Sequence, residues 1–75
     1  MGRVDPLTPE ERAILDLEKR TWKYPGSKER AVRRELGIPA TQYYMRVNAL
    51  IEDPRAVSEE PELIRRLRAQ RDRQA

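Results

Sequence analysis

Proline and glycine punctuate this chain so often that no regular element can run far. Pro9, Pro25-Gly26, Gly37, Pro39, Pro54 and Pro61 leave room only for helices of a few turns, because proline removes a helical donor and clashes with the turn before it. Between these marks apolar residues recur at helical spacing, and no segment alternates with the period of two that a half-buried strand requires. The expected fold is all-α: a small domain of three to four helices that includes a helix-turn-helix.

Residues 1–7, with Gly2, Pro6 and no periodicity, read as a flexible arm. A strong helix start follows: Thr8 can cap, Pro9 fits the first helical position, and Glu11 stands three after Thr8 to close a capping box. Ala13, Ile14, Leu17 and Thr21, with Leu15 and Trp22 alongside, predict a first helix over about 8–22. Tyr24-Pro25-Gly26 is a turn signal. Ser27 then caps a second helix, about 27–36, which carries Ala31, Val32 and Leu36 and stops at Gly37, a residue that tolerates the left-handed conformation. A third helix, about 39–52, has Ala40, Tyr43, Val47, Leu50 and Ile51 on one face. Residues 8–52 thus form the expected core. Residues 53–75 read as a helical turn, a start capped by Ser58, a short stripe of Leu63, Ile64 and Leu67, and a basic tail that frays beyond Arg68.

Composition sharpens this picture. The chain has 75 residues, 37% of them hydrophobic, with no Phe, Cys or His. Its core is therefore thin, and Trp22, Tyr43 and Tyr44 are the large pieces available to fill it, their polar tips directed outward. Without Cys or His there are no disulfides, no thiol nucleophile and no zinc-finger ligands, so neither a metal nor a cofactor is expected. Gly26-Ser27-Lys28 lacks the first glycine and preceding strand of a phosphate-cradling loop. A bundle this small also encloses little pocket volume, so the expectation is a protein that is not an enzyme. No apolar stretch approaches the length of a membrane span or a secretory leader, and a cytoplasmic protein with no membrane contact is expected.

Charge is distributed in blocks. Residues 19–46 hold eight basic and two acidic side chains, and residues 63–75 hold five basic and one acidic; the intervening and leading segments are net acidic. Exposed charges are screened beyond ~8–10 Å at physiological salt, so a local cationic excess attracts a polyanion even though the whole chain carries only +3. Solvated helix faces produce similar runs.

Two short helices joined through Gly37 and Ile38 are the helix-turn-helix arrangement, in which the later helix enters the major groove. Opposite the apolar face of the third helix lie Thr41, Gln42, Met45, Arg46 and Asn48, expected to face bases. Amides pair with adenine, Arg with guanine, and Thr offers a methyl to thymine. Lys23, Lys28, Arg30, Arg33 and Arg34 are expected on phosphates, diluted by Glu29 and Glu35. The leading expectation is therefore a sequence-selective regulator of transcription that binds double-stranded DNA, as a homodimer or with a second DNA-binding partner, since one small motif reads few base pairs.

The segments Leu7-Thr8-Pro9-Glu10-Glu11-Arg12-Ala13-Ile14-Leu15, Trp22-Lys23-Tyr24-Pro25-Gly26-Ser27-Lys28-Glu29, Tyr43-Tyr44 and Asn48-Ala49-Leu50-Ile51 resemble a small actinobacterial family of unknown function that also occurs in actinophages. That resemblance implies a helix-turn-helix. More distantly, Leu36-Gly37-Ile38 and the helix after it resemble the promoter-reading domain four of sigma factors, with Pro39 where those domains often have Ser. A competing expectation is a protein-binding module, a phage or host factor that docks on RNA polymerase, a sigma factor or another host protein. Its support is the alternating acidic and basic blocks, the outward Met45 and the stripe Leu63, Ile64 and Leu67, read as too small for a core and free to pack on a partner helix.

Overall fold

A computed structural model describes residues 6–74. Among them run α1 (Pro9–Lys19), α2 (Pro25–Leu36), α3 (Ala40–Ile51), α4 (Pro54–Glu59) and α5 (Pro61–Gln74), with no strand. The chain is all-α, with one helix more than the largest number expected. None of the described helices is long and apolar enough to cross a membrane.

Proline sets four of the five starts. It opens α1, α2, α4 and α5, where its fixed φ suits the first turn and its missing N–H costs nothing. The capping box of α1 forms as read: the Glu11 N–H donates to Thr8 Oγ1 at 3.1 Å and the Thr8 N–H donates to Glu11 Oε1 at 2.8 Å. Gly37 closes α2 with φ of 70°, its N–H donating to the Arg33 carbonyl at 3.0 Å.

Three boundaries differ from the sequence reading, each for a local reason. The first helix stops at Lys19 because Arg20 turns extended, and Trp22 folds back so that its indole N–H donates to the Leu17 carbonyl at 3.2 Å. The second begins two residues before Ser27, at Pro25; Ser27 is not a cap, and its hydroxyl accepts from Arg30 at 3.4 Å instead. Ser58 falls inside α4, which is capped by the Asp53 carboxylate accepting from the Arg55 N–H at 2.9 Å.

The core takes Ile14, Leu15 and Leu17 from α1, Ala31 and Val32 from α2, and Tyr43, Val47, Leu50 and Ile51 from α3. Leu7 is buried with them, so the expected arm does not extend to residue 7; residues 1–5 lie outside the described residues. Trp22, Leu36, Ile38 and Val57 pack at the edges. Leu63, Ile64 and Leu67 complete the core from α5, at 7%, 1% and 6% exposure. The stripe read as a docking surface is therefore spent inside this molecule.

Beyond that stripe α5 does not fray at Arg68 but continues to Gln74, and its arginines bind the ends of other helices. The Arg66 guanidinium donates to the Glu18 carbonyl at 2.7 Å, and Arg68 donates twice to the Ile51 carbonyl, at 2.9 and 3.2 Å. Carbonyls in the last turn of a helix lack partners within it, and the dipole there favours a cation. Arg71 adds a 2.9 Å ion pair with Glu52, just past the end of α3.

Replacing Ile64 by Ala should cost about 2–5 kcal/mol of folding stability, the range for emptying a fully buried aliphatic site. Arg65→Ala, one residue on and exposed, should change it by under about 0.5 kcal/mol. Urea unfolding followed by circular dichroism distinguishes the two. Equal, small effects would show that α5 is not part of the core.

Candidate nucleic-acid interface

The α2–α3 pair owes its geometry to three residues between the helices. Gly37 reverses the chain in the left-handed conformation, Ile38 packs against the core, and Pro39, extended at φ −68° and ψ 156°, accepts the first bond of α3 from the Tyr43 N–H at 3.0 Å. No side chain caps α3.

With Tyr43, Val47, Leu50 and Ile51 buried, the opposite face of α3 is turned to solvent. Thr41, Gln42, Met45, Asn48 and Ala49 are all exposed, Met45 at 72%. None is acidic. Four of the five residues expected to face bases therefore stand on an open surface. The fifth, Arg46, is exposed but already engaged: its guanidinium is ion-paired with the Glu10 carboxylate at the start of α1. On that side Gln42, Met45, Arg46 and Ala49 line a shallow groove of about 310 Å³ with Ile14 and Leu50 and with two further carboxylates, Glu11 and Asp53.

The cations expected on phosphates divide in the same way. Lys23, Arg30 and Arg33 are exposed and have no carboxylate partner among the described residues. Lys23 lies over the Tyr24 ring at 5.6 Å, and Arg30 and Arg33 share a groove with Glu29, Gly26 and Ala40, the first residue of α3. Arg34 is 3.6 Å from Glu35, a carboxylate already held in a two-pronged bond by Arg20. Arg20 holds the Glu35 carboxyl below its usual range.

Lys28 does not belong with this group. Its ammonium is 2.7 Å from the Glu18 carboxylate and lies over the rings of Tyr43 and Tyr44 at 5.7 and 5.4 Å. Only 18% of the Lys28 side chain and 7% of the Glu18 side chain are exposed. An ion pair this sheltered is broken only at the cost of leaving a buried charge unpartnered. The same carboxylate accepts from the Tyr43 hydroxyl, which also lies 3.5 Å from the Ile14 carbonyl. Tyr44 meets Tyr43 edge to face, with centroids 5.2 Å apart. Burial, reinforced by the bond to Glu18, pushes the Tyr43 hydroxyl well above the ordinary tyrosine range.

Sequence reasoning thus found the exposed ridge but missed Glu10 and Glu18, which withdraw Arg46 and Lys28 from it. Local pattern could not reveal the first pair, whose members lie 36 residues apart.

Residues 6–75 match the model of a family described as a protein of unknown function (DUF3263), and the chain belongs to that family. Comparison with curated proteins and with solved structures found no match.

The Tyr43 cluster sets a pH dependence. A hydroxyl whose folded pKa is raised contributes stability that is intact below the unfolded value, near 10, and is lost as pH climbs beyond it. Melting temperatures measured from pH 8 to 11 should therefore fall more steeply above pH 10 for the parent chain than for Tyr43→Phe. Parallel profiles would remove the linkage.

Proposed function

We propose that this DUF3263 protein binds double-stranded DNA sequence-selectively and regulates transcription, with α3 in the major groove and α2 across the backbone. The observation that carries the reading is the solvent-facing side of α3. Thr41, Gln42, Met45 and Asn48 stand exposed there with no acidic residue among them, while Lys23, Arg30 and Arg33 on the α2 side make no ion pair with a carboxylate among the described residues. Arg30 and Arg33 border the start of α3, whose first N–H groups lack a side-chain cap. Cations beside such donors are suited to a phosphate. Gln42 and Asn48 supply the amides that read base edges.

In this reading the phosphate contacts are Lys23, Arg30 and Arg33, with Arg34 joining when it leaves its long pair. A single α3 covers few base pairs, so selectivity calls for a second copy of the chain or another DNA-bound partner. The resemblance of Leu36-Gly37-Ile38 to sigma-factor domain four agrees with a promoter-proximal role. The alternative, docking on RNA polymerase, a sigma factor or another host protein, loses its helical stripe to the core and keeps Met45 and the alternating charge blocks.

Charge reversal at Arg30 and Arg33 together should weaken binding to every duplex and reduce the slope of log affinity against log salt by ~0.9 per lost contact. Gln42→Ala or Asn48→Ala should instead relax selectivity by ~1–3 kcal/mol, leaving that slope unchanged. Gel-shift titration checks both. If no duplex is retained at physiological salt and random-site selection enriches nothing, the proposal fails.

A further inference from the structure

Three residues of the exposed face form one row. Thr41, Met45 and Ala49 are spaced four apart, so they stack along the helix surface as a single ridge. Each ends in a methyl group, and all three are exposed. The amides Gln42 and Asn48 lie on opposite sides of this ridge. Gln42 faces the groove shared with α1, and Asn48 faces the groove lined by Tyr44, Gln70 and Arg71.

The one cation on this face is Arg46, and Glu10 holds it. An exposed pair of this kind is weak in itself, so its strength is not the obstacle. The obstacle is Glu10. If Arg46 swings away to a guanine, Glu10 is left as an unpaired carboxylate beside it, close to the electronegative edges and phosphates of the duplex, whereas Glu11 and Asp53 in the adjoining groove are held by Arg55. That unpaired carboxylate disfavours the guanine-reading group. What remains free is a methyl ridge and two amides. In the major groove these match thymine, which presents a 5-methyl, and adenine, which takes a bidentate amide; guanine offers only acceptors there.

Resting on the DNA reading above, we infer that α3 is built to read A·T base pairs: the ridge Thr41–Met45–Ala49 packs on thymine methyls, Gln42 and Asn48 pair with adenine, and Glu10 keeps Arg46 from reading guanine. The eight-residue step from Thr41 to Ala49 spans about 12 Å of helix. At 3.4 Å per step of duplex, that is a core of about three or four base pairs. Met45, at the middle of the ridge and 72% exposed, is the residue that sets the preference for thymine.

The test uses the full chain. Random-site selection at physiological salt should enrich duplexes whose core is A·T. In a selected duplex, replacing a core thymine by deoxyuridine removes only the methyl group and should weaken binding about fourfold at a contacted position. Met45→Ala, which circular dichroism should show folded as the parent, should bind the thymine and deoxyuridine duplexes alike at one position while its salt slope is unchanged. Glu10→Gln should release Arg46 and admit guanine at one core position. Selection of a G·C core, or equal affinity of the parent chain for every thymine and deoxyuridine pair, overturns the inference while leaving DNA binding standing. Retention of no duplex overturns the DNA reading itself, and this inference with it.

Discussion

The ring of Tyr43 is where three helices meet, and the orientation of everything outside depends on it. It comes from α3, is fully buried, and sends its hydroxyl to the Glu18 carboxylate and the Ile14 carbonyl of α1 while the Lys28 ammonium of α2 lies over its face. Apolar burial alone would allow α3 to roll by a fraction of a turn, because Val47, Leu50 and Ile51 are of similar size and interchange readily. A hydroxyl that must find its acceptor does not permit that. A buried polar group left unpaired costs about 1–3 kcal/mol, so the bond to Glu18 fixes the rotation of α3. The side chains opposite Tyr43 are thereby committed to solvent.

Much of the fold was legible because the signals that shape it are local. The Thr8–Glu11 box, the left-handed Gly37 and the proline starts each act within four residues. The exposed ridge of α3 was legible for the same reason, since it follows from helical period once Tyr43, Val47 and Leu50 are assigned inward. The misreadings arose where two local signals competed or where the deciding partner was remote. Pro25 and Ser27 both mark a helix start, and the proline prevailed because its fixed φ begins the turn two residues earlier. Trp22 sits at helical spacing from the residues of α1, yet its indole N–H reaches back to Leu17 and ends the helix rather than extending it. Leu63, Ile64 and Leu67 look too few to make a core only while α5 is considered alone.

The basic tail shows how a charge count misleads when the acceptors are backbone. Five arginines after Leu63 resemble a phosphate-binding arm, but Arg66 and Arg68 are directed at carbonyls at the ends of α1 and α3. A carbonyl has no signature in the sequence, so this use of arginine is invisible until the helices are placed. The outcome is structural: α5 is latched to α1 and α3 by groups that also satisfy helix ends, which is why it persists beyond its last large apolar residue.

Folding requirements also set the electrostatics of the ridge. Glu10 and Glu11 stand where they do because the start of α1 favours acidic residues, and Glu11 closes the capping box. Packing α1 against α3 then carries both carboxylates to one edge of the exposed face, where Asp53, the cap of α4, joins them. Three acids needed for helix starts thus border the ridge on the α1 side, while Arg30 and Arg33 border its beginning on the α2 side. At physiological salt the Debye length is about 8 Å, so opposite edges of a helix about 10 Å wide do not cancel. Each acid on the α1 side is paired, Glu10 with Arg46 and both Glu11 and Asp53 with Arg55, whereas Arg30 and Arg33 make no ion pair among the described residues, so a polyanion approaching α3 is drawn toward the α2 edge. The net charge of +3 conceals this polarity. Direction of approach, rather than overall attraction, is what this arrangement of charge provides.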